Sequence, residues 1–127
     1  MAFVFLQFYV GVYYLSWMRK IGLLLKGGVC VISVASVKVD DKVCLGVRVE
    51  LPDSPPLLLV IAERGFVMCG FLNMGAAERL SVAATMVSGV KSFEDILDAK
   101  VKATTTRAKK LGIETGMKGT EALKRMF

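Results

Sequence analysis

The sequence contains no histidine, and this absence rules out many kinds of active site. Histidine is the usual general base and the commonest metal ligand, and it activates the nucleophile in Ser-His and Cys-His pairs. The three cysteines, Cys30, Cys44 and Cys69, form no close pair and lack the spacing of a zinc site. We therefore expect no disulfide framework, no metal and no cofactor, and we expect a reducing, cytoplasmic setting.

Charged residues are also scarce, at 22% of the 127 residues, whereas hydrophobic residues make up 54%. This composition excludes a disordered chain, and the length suits a single domain. An apolar excess of this size predicts either strands that are covered on both faces or a surface that partner subunits cover.

The net charge of +6 indicates a possible nucleic-acid surface, because residues 91–127 hold nine bases and five acids. Such a surface needs bases clustered on one face, ideally with exposed aromatic residues. Here the bases alternate with acids, and Phe93 is the one aromatic residue between them. We favour solvated helix faces, and weak nucleic-acid binding through this basic C-terminal third remains an alternative.

Residues 1–28 form an apolar N-terminal extension, and residues 29–127 form the predicted domain. The extension opens with an uncharged stretch that ends at Met18 and is rich in Phe, Tyr and Val. Three interpretations are open: a start-site artefact with translation beginning at Met18, a packed strand or subunit-contact arm, and a membrane anchor. The stretch is slightly short for a transmembrane helix of about 20 residues, so we do not expect a membrane partner.

The first half of the domain has the pattern of β-strands. Residues 29–39 and 43–51 alternate around Asp40 and Asp41, which predicts an antiparallel hairpin. The apolar run 57–62 predicts a central strand, and residues 66–72 predict a fourth strand in which Gly70 marks a bulge or a close backbone approach. Short strands are expected at 85–90 and 100–104.

The second half predicts short helices with recognisable caps. Asn73 precedes a helix expected to reach about residue 84, and Ser92 with Asp95 forms a capping box. A helix from 105 or 106 ends before Gly112, and Thr120 is expected to cap the last helix. Together these patterns predict an α+β fold, with a mostly antiparallel N-terminal sheet followed by short helices and one or two short strands.

Cys69 is the best candidate for a reactive group. It lies between Met68 and Gly70, just before the predicted helix start at Asn73, and Arg64 could add positive charge. A helix N-terminus and a nearby cation both stabilise a thiolate. The alternative is a buried structural cysteine, and Asn73 is more simply a cap than a catalytic amide.

A second candidate is the glycine-rich loop with Gly116, Lys118 and Gly119, which precedes the last helix. Its N–H groups and the lysine could hold an anion, although the loop lacks the phosphate-loop pattern. A tight turn between packed helices is the simpler interpretation. We list Arg64, Cys69, Gly70, Asn73, Gly116, Lys118 and Gly119 as ligand-binding candidates.

Three blocks of sequence resemble a known family: RGFVMCGFLN at 64–73, SGVKSFEDILDAKV at 88–101 and KKLGIETGMKGTEALKRMF at 109–127. In order and spacing they are similar to the YunC-like family of unknown function. The resemblance implies an α+β domain of bacteria and archaea whose N-terminal β-region forms a tetramer. It implies no activity, so no catalytic residue carries over.

Independently of that resemblance, the first strands have more apolar surface than three short helices can cover, which predicts a homo-oligomer. Our first hypothesis is a cytoplasmic homo-oligomeric module that binds a small ligand or a partner without catalysis of its own. The alternative is an enzyme whose site, centred on Cys69, is completed at a subunit interface.

Overall fold

The computed structural model describes residues 32–127, which form one six-stranded sheet and four short helices. The predictions for residues 1–28 and for Cys30 lie outside the described residues. In chain order the elements are β1 (Ile32–Val39), β2 (Lys42–Val49), β3 (Leu57–Ile61), β4 (Phe66–Met68), α1 (Met74–Arg79), β5 (Ala84–Met86), α2 (Phe93–Asp98), β6 (Ala103–Thr104), α3 (Thr106–Lys110) and α4 (Gly119–Lys124).

The strands follow one another across the sheet in the order β1-β2-β3-β4-β5-β6. Every neighbouring pair is antiparallel except β4 and β5, which are parallel and are joined through α1. The predicted hairpin is confirmed: Val39 pairs with Lys42, and Asp40 adopts a left-handed φ of 56° in the turn. The predicted α+β class with a mostly antiparallel sheet is therefore confirmed.

One face of the sheet is covered by α2, α3 and α4. The core beneath them contains Val37 and Cys44 from the hairpin, Leu58 from β3, and Ile96 and Leu123 from the helices. The opposite face is covered only over β3, β4 and β5, where Ala77 of α1 packs against Met68 and Ala84. Among residues 32–127, this six-residue helix is the one helix that packs on that face.

The uncovered part lies on the hairpin and consists of large aliphatic side chains. Ile32 is 66% exposed, Val34 62%, Val43 57% and Leu45 47%. Alternation places these four side chains on the same side of β1 and β2, since Val34 is opposite Val47 and Leu45 is opposite Ser36. We call this set of four residues the exposed apolar face. Exposed apolar patches of this kind commonly mark surfaces that contact a partner or a ligand.

Helix α1 is shorter than predicted, because it ends at Arg79 rather than near residue 84. Ser81 takes a left-handed φ of 55°, and its N–H donates to the Glu78 carbonyl. The Val82 N–H donates to the Ala77 carbonyl at 3.2 Å, which completes a Schellman motif. Serine is an uncommon residue at this position, so the sequence did not show where the helix ends.

Other boundaries were also wrong. The fourth strand stops at Met68 and the fifth at Met86, so Gly70 lies in a turn rather than at a bulge. The N-cap of α4 is Lys118, and Thr120 instead donates to the Leu97 carbonyl at 2.8 Å. Among residues 32–127, no helix has the length and apolar character needed to cross a bilayer.

Candidate functional site

The connections that follow the two parallel strands leave the sheet in opposite directions. After β4 the chain turns to α1, whose Ala77 packs on one face, and after β5 it turns to α2, whose Ile96 packs on the other. Where neighbouring parallel strands send their connections to opposite faces, a crevice opens outside their carboxyl ends, and open α/β sheets bind ligands there. The carboxyl ends of β4 and β5 are therefore a candidate binding site.

A pocket of about 260 Å³ lies at this position. It is formed by the loop after β4, the loop after β5 and the prolines that precede β3. We call it the Cys69 pocket, and its lining residues are Pro55, Pro56, Cys69, Gly70, Phe71, Ser88, Gly89, Val90 and Lys91.

Cys69 lies at the inner end of the loop after β4 and is only 4% exposed. Its N–H donates to the Leu58 carbonyl at 3.1 Å, and its sulfur accepts the Leu58 N–H at 3.4 Å. The residue therefore extends the pairing of β4 with β3 and belongs to the core, although it also borders the pocket. The enzyme hypothesis centred on Cys69 stays a prediction.

The two glycines of the pocket leave its wall open. A Cβ atom on Gly70 or on Gly89 would meet no atom within 4 Å. Gly89 also has a φ of +73°, which most side chains disfavour. Because neither residue carries a side chain, a ligand can approach the backbone closely at both positions.

The backbone at the edge of the pocket is held in place by the capping box of α2. Asp95 Oδ2 accepts the Lys91 N–H at 2.9 Å and the Ser92 N–H at 3.1 Å, and the Asp95 N–H donates to the Ser92 hydroxyl. The hydrogen bond from the Lys91 N–H is the main reason that the pKa of Asp95 lies below its usual value. Arg48 Nη1 donates to the Lys91 carbonyl at 3.1 Å, so both backbone groups of Lys91 are fixed.

Of the predicted ligand-binding residues, the structure brings only Cys69 and Gly70 together in this pocket. Arg64 lies in a separate open groove with Phe66, Leu80 and Arg107, where it donates to the carbonyl oxygens of Arg125 and Phe127. Arg64 therefore anchors the C-terminal residues and does not line the Cys69 pocket.

The remaining candidates have structural roles. The Asn73 side chain accepts the Ala76 N–H at 3.1 Å as the N-cap of α1. The Gly116 N–H donates to the Val101 carbonyl, and the Gly119 N–H donates to the Ala99 carbonyl, each at 2.9 Å. These donors are already used, and Lys118 makes no side-chain cap, so the loop matches the tight turn considered above. Among residues 32–127, no three Cys, Asp or Glu side chains are grouped so that they could hold a metal ion.

Sequence reasoning missed the second loop of the pocket. Ser88 and Gly89 were assigned to the strand expected at 85–90, whereas that strand ends at Met86 and both residues lie with Lys91 in a loop that lines the pocket. A glycine between a strand and an N-cap was a usable signal for a loop where the backbone is accessible. The sequence does not indicate that β4 and β5 are parallel neighbours.

The comparisons with known proteins agree on one family. A family model described as "Domain of unknown function (DUF1805)" matches residues 68–126. The uncharacterized protein YunC of Bacillus subtilis (strain 168) is 33% identical over 101 residues, which cover 76% of this chain and 98% of that protein. The chain belongs to the YunC-like family of unknown function.

A YunC-like fold is also found among solved structures. The crystal structure of TA1206, a protein of unknown function from Thermoplasma acidophilum, matches with a TM-score of 0.72 and 30% identity, over 76% of this chain and 94% of that one. The matched family segment 68–126 contains both loops that follow β4 and β5, and it begins after the hairpin that carries the exposed apolar face.

Proposed function

We propose that this YunC-like protein is a homo-oligomeric module that binds a small ligand in the Cys69 pocket. The observation that carries the proposal is the position of the pocket at the carboxyl ends of β4 and β5, where the chain leaves for opposite faces of the sheet. Its volume of about 260 Å³ lies just below the range for drug-sized ligands and so suits a smaller molecule.

Assembly is the second part of the proposal and rests on the exposed apolar face. Four aliphatic side chains that are each 47–66% exposed gain about 25 cal/mol for each Å² that a second copy covers. Closed symmetric assemblies are the common outcome of such contacts, and we propose a tetramer. A cytoplasmic location belongs to the same proposal and is supported by the free thiols of Cys44 and Cys69.

Blocking the pocket is expected to abolish ligand binding without unfolding the domain. Gly70 has no positive φ and its Cβ would point into open space, so Gly70→Leu is compatible with the fold and places a side chain at the pocket. The measurement is an NMR screen with a library that contains both neutral and charged small molecules. We expect some of them to shift the amide resonances of residues 69–71 and 88–91 in the wild type. In Gly70→Leu the same molecules should leave these resonances unshifted.

The matched control is Gly75→Leu, which adds the same side chain on α1, away from the pocket. It should bind fragments as the wild type does. If no fragment shifts the pocket resonances of the wild type, or if both variants bind equally, the ligand-binding proposal is wrong.

A charge on the exposed apolar face is expected to dissociate the oligomer. Leu45→Lys puts an ammonium where a second copy would pack, and burying an unpaired charge costs several kcal/mol. Light scattering after size exclusion should give a multiple of 13.8 kDa for the wild type and 13.8 kDa for the variant. Leu80→Lys, at a 74% exposed leucine outside this face, should remain oligomeric. A monomeric wild type at micromolar concentration would end the assembly claim.

A further inference from the structure

We infer that the ligand of the Cys69 pocket is a small organic anion, with its negative group held by the loop backbones and Lys91 and its apolar part held by the prolines and Phe71. This inference rests on the proposed ligand-binding function and adds the chemical class of the ligand.

Several residues that line the pocket have backbone N–H groups without a protein acceptor. Within residues 32–127, the N–H groups of Gly70, Phe71, Ser88, Gly89 and Val90 donate to no protein acceptor. By contrast, the N–H groups that flank them are used, since those of Cys69 and Lys91 donate to the Leu58 carbonyl and to Asp95. Groups of free N–H donors in irregular loops are a recurrent way to bind anions.

The charge around the pocket has the matching sign. None of the nine lining residues is acidic, and Lys91 is the one basic residue among them. Within the described part of the chain the Lys91 ammonium forms no ion pair. Glu94 and Asp95 are the nearest carboxylates in sequence, and Asp95 Oδ2 already accepts the N–H groups of Lys91 and Ser92. The Lys91 charge also acts on Asp95, but within residues 32–127 no salt bridge would have to break before Lys91 met an anionic ligand.

Much of the rest of the lining is apolar. Pro55 and Pro56 precede β3, and Phe71, which is 53% exposed, follows β4 at the same end of the sheet. An exposed aromatic ring gains the most from covering an apolar ligand surface. An inorganic anion would leave the apolar lining of the pocket exposed to water. We therefore assign an organic anion such as a carboxylate.

The test compares benzoate with its neutral isostere benzamide in amide-resolved NMR titrations of the full chain. We expect benzoate to shift the resonances of residues 70–71 and 88–91 and to bind at least about tenfold more tightly than benzamide, which corresponds to about 1.4 kcal/mol. In Lys91→Gln that preference should fall to about threefold or less. Lys109→Gln, which removes an exposed lysine of α3, should leave it unchanged.

The outcomes separate this inference from the proposal beneath it. If benzamide binds the pocket as tightly as benzoate, or if Lys91→Gln keeps the full preference, the pocket binds ligands but the anion assignment is wrong. If inorganic phosphate binds as well as benzoate, the assignment of an organic anion is wrong. If no probe and no library fragment shifts these resonances, the ligand-binding function itself fails.

Discussion

Replacing Gly119 by alanine is expected to destabilise the domain by about 3 kcal/mol or more, a large overpacking effect. A Cβ atom at this position would lie 1.9 Å from the Ile96 carbonyl oxygen and 3.0 Å from its carbonyl carbon. Both are backbone atoms of α2, so no side-chain rotation can relieve the clash. The first turn of α4 would have to move away from α2.

That movement would disturb contacts on which the core depends. Gly119 is buried, its N–H donates to the Ala99 carbonyl at 2.9 Å, and the same helix carries Ala122 and Leu123, which are fully buried. We therefore expect the midpoint of urea unfolding, followed by circular dichroism, to fall sharply in Gly119→Ala.

A matched substitution tests this interpretation of Gly119. Gly75→Ala also adds one methyl group near the start of a helix, but the new Cβ lies 3.1 Å from the Asn73 side-chain oxygen, which can shift. We expect a change within about 1 kcal/mol, since alanine favours helix by about that amount. Equal stability of Gly119→Ala and the wild type would mean that α2 and α4 do not approach as described.

Thr105→Val is expected to destabilise the domain by about 3 kcal/mol, because it leaves buried polar groups without partners. The Thr105 hydroxyl donates to the Val82 carbonyl at 2.7 Å and accepts the N–H groups of Ala84 at 3.1 Å and Ala108 at 3.3 Å. One hydroxyl thus caps α3 and also links the start of α3 to Val82, before β5, and to Ala84, the first residue of β5. Valine has nearly the same shape, so packing is preserved and hydrogen bonding is lost.

The neighbouring strand provides the opposite case. Thr85 is also fully buried, yet its hydroxyl has no hydrogen-bond partner among residues 32–127. Thr85→Val removes an unsatisfied polar atom, and we expect no loss or a gain of about 1 kcal/mol. Urea unfolding of the two variants side by side gives the comparison. Similar losses in both would show that shape, rather than hydrogen bonding, decides the outcome at these positions.

Local signals in the sequence were sufficient for the features that depend on neighbouring residues. The capping box of Ser92 and Asp95 is present as predicted, and Gly112 ends α3 with a left-handed φ of 84°. The hairpin also followed from alternation and a polar turn. In each case the stabilising contact lies within a few residues along the chain, so the amino-acid pattern specifies it.

The features that depend on distant residues were not predictable in the same way. Gly119 was interpreted as part of a tight turn, with an anion site as the alternative, whereas the structure shows that its lack of a side chain lets the backbone of Ile96, which lies 23 residues away, approach closely. The Cys69 pocket likewise requires β4 and β5 to be parallel neighbours with connections on opposite faces. Neither strand is longer than three residues, too short for periodicity to indicate its direction or its partner.

The position of α4 has a consequence during protein synthesis. Leu123 and Met126 are fully buried, and the Met126 carbonyl accepts the Arg64 N–H at 2.8 Å, next to the turn between β3 and β4. The core therefore cannot close until residues 119–126 have left the ribosome, whereas the aliphatic hairpin emerges about 70 residues earlier. During that interval the aliphatic side chains of the hairpin have emerged, whereas the helix that closes their core has not.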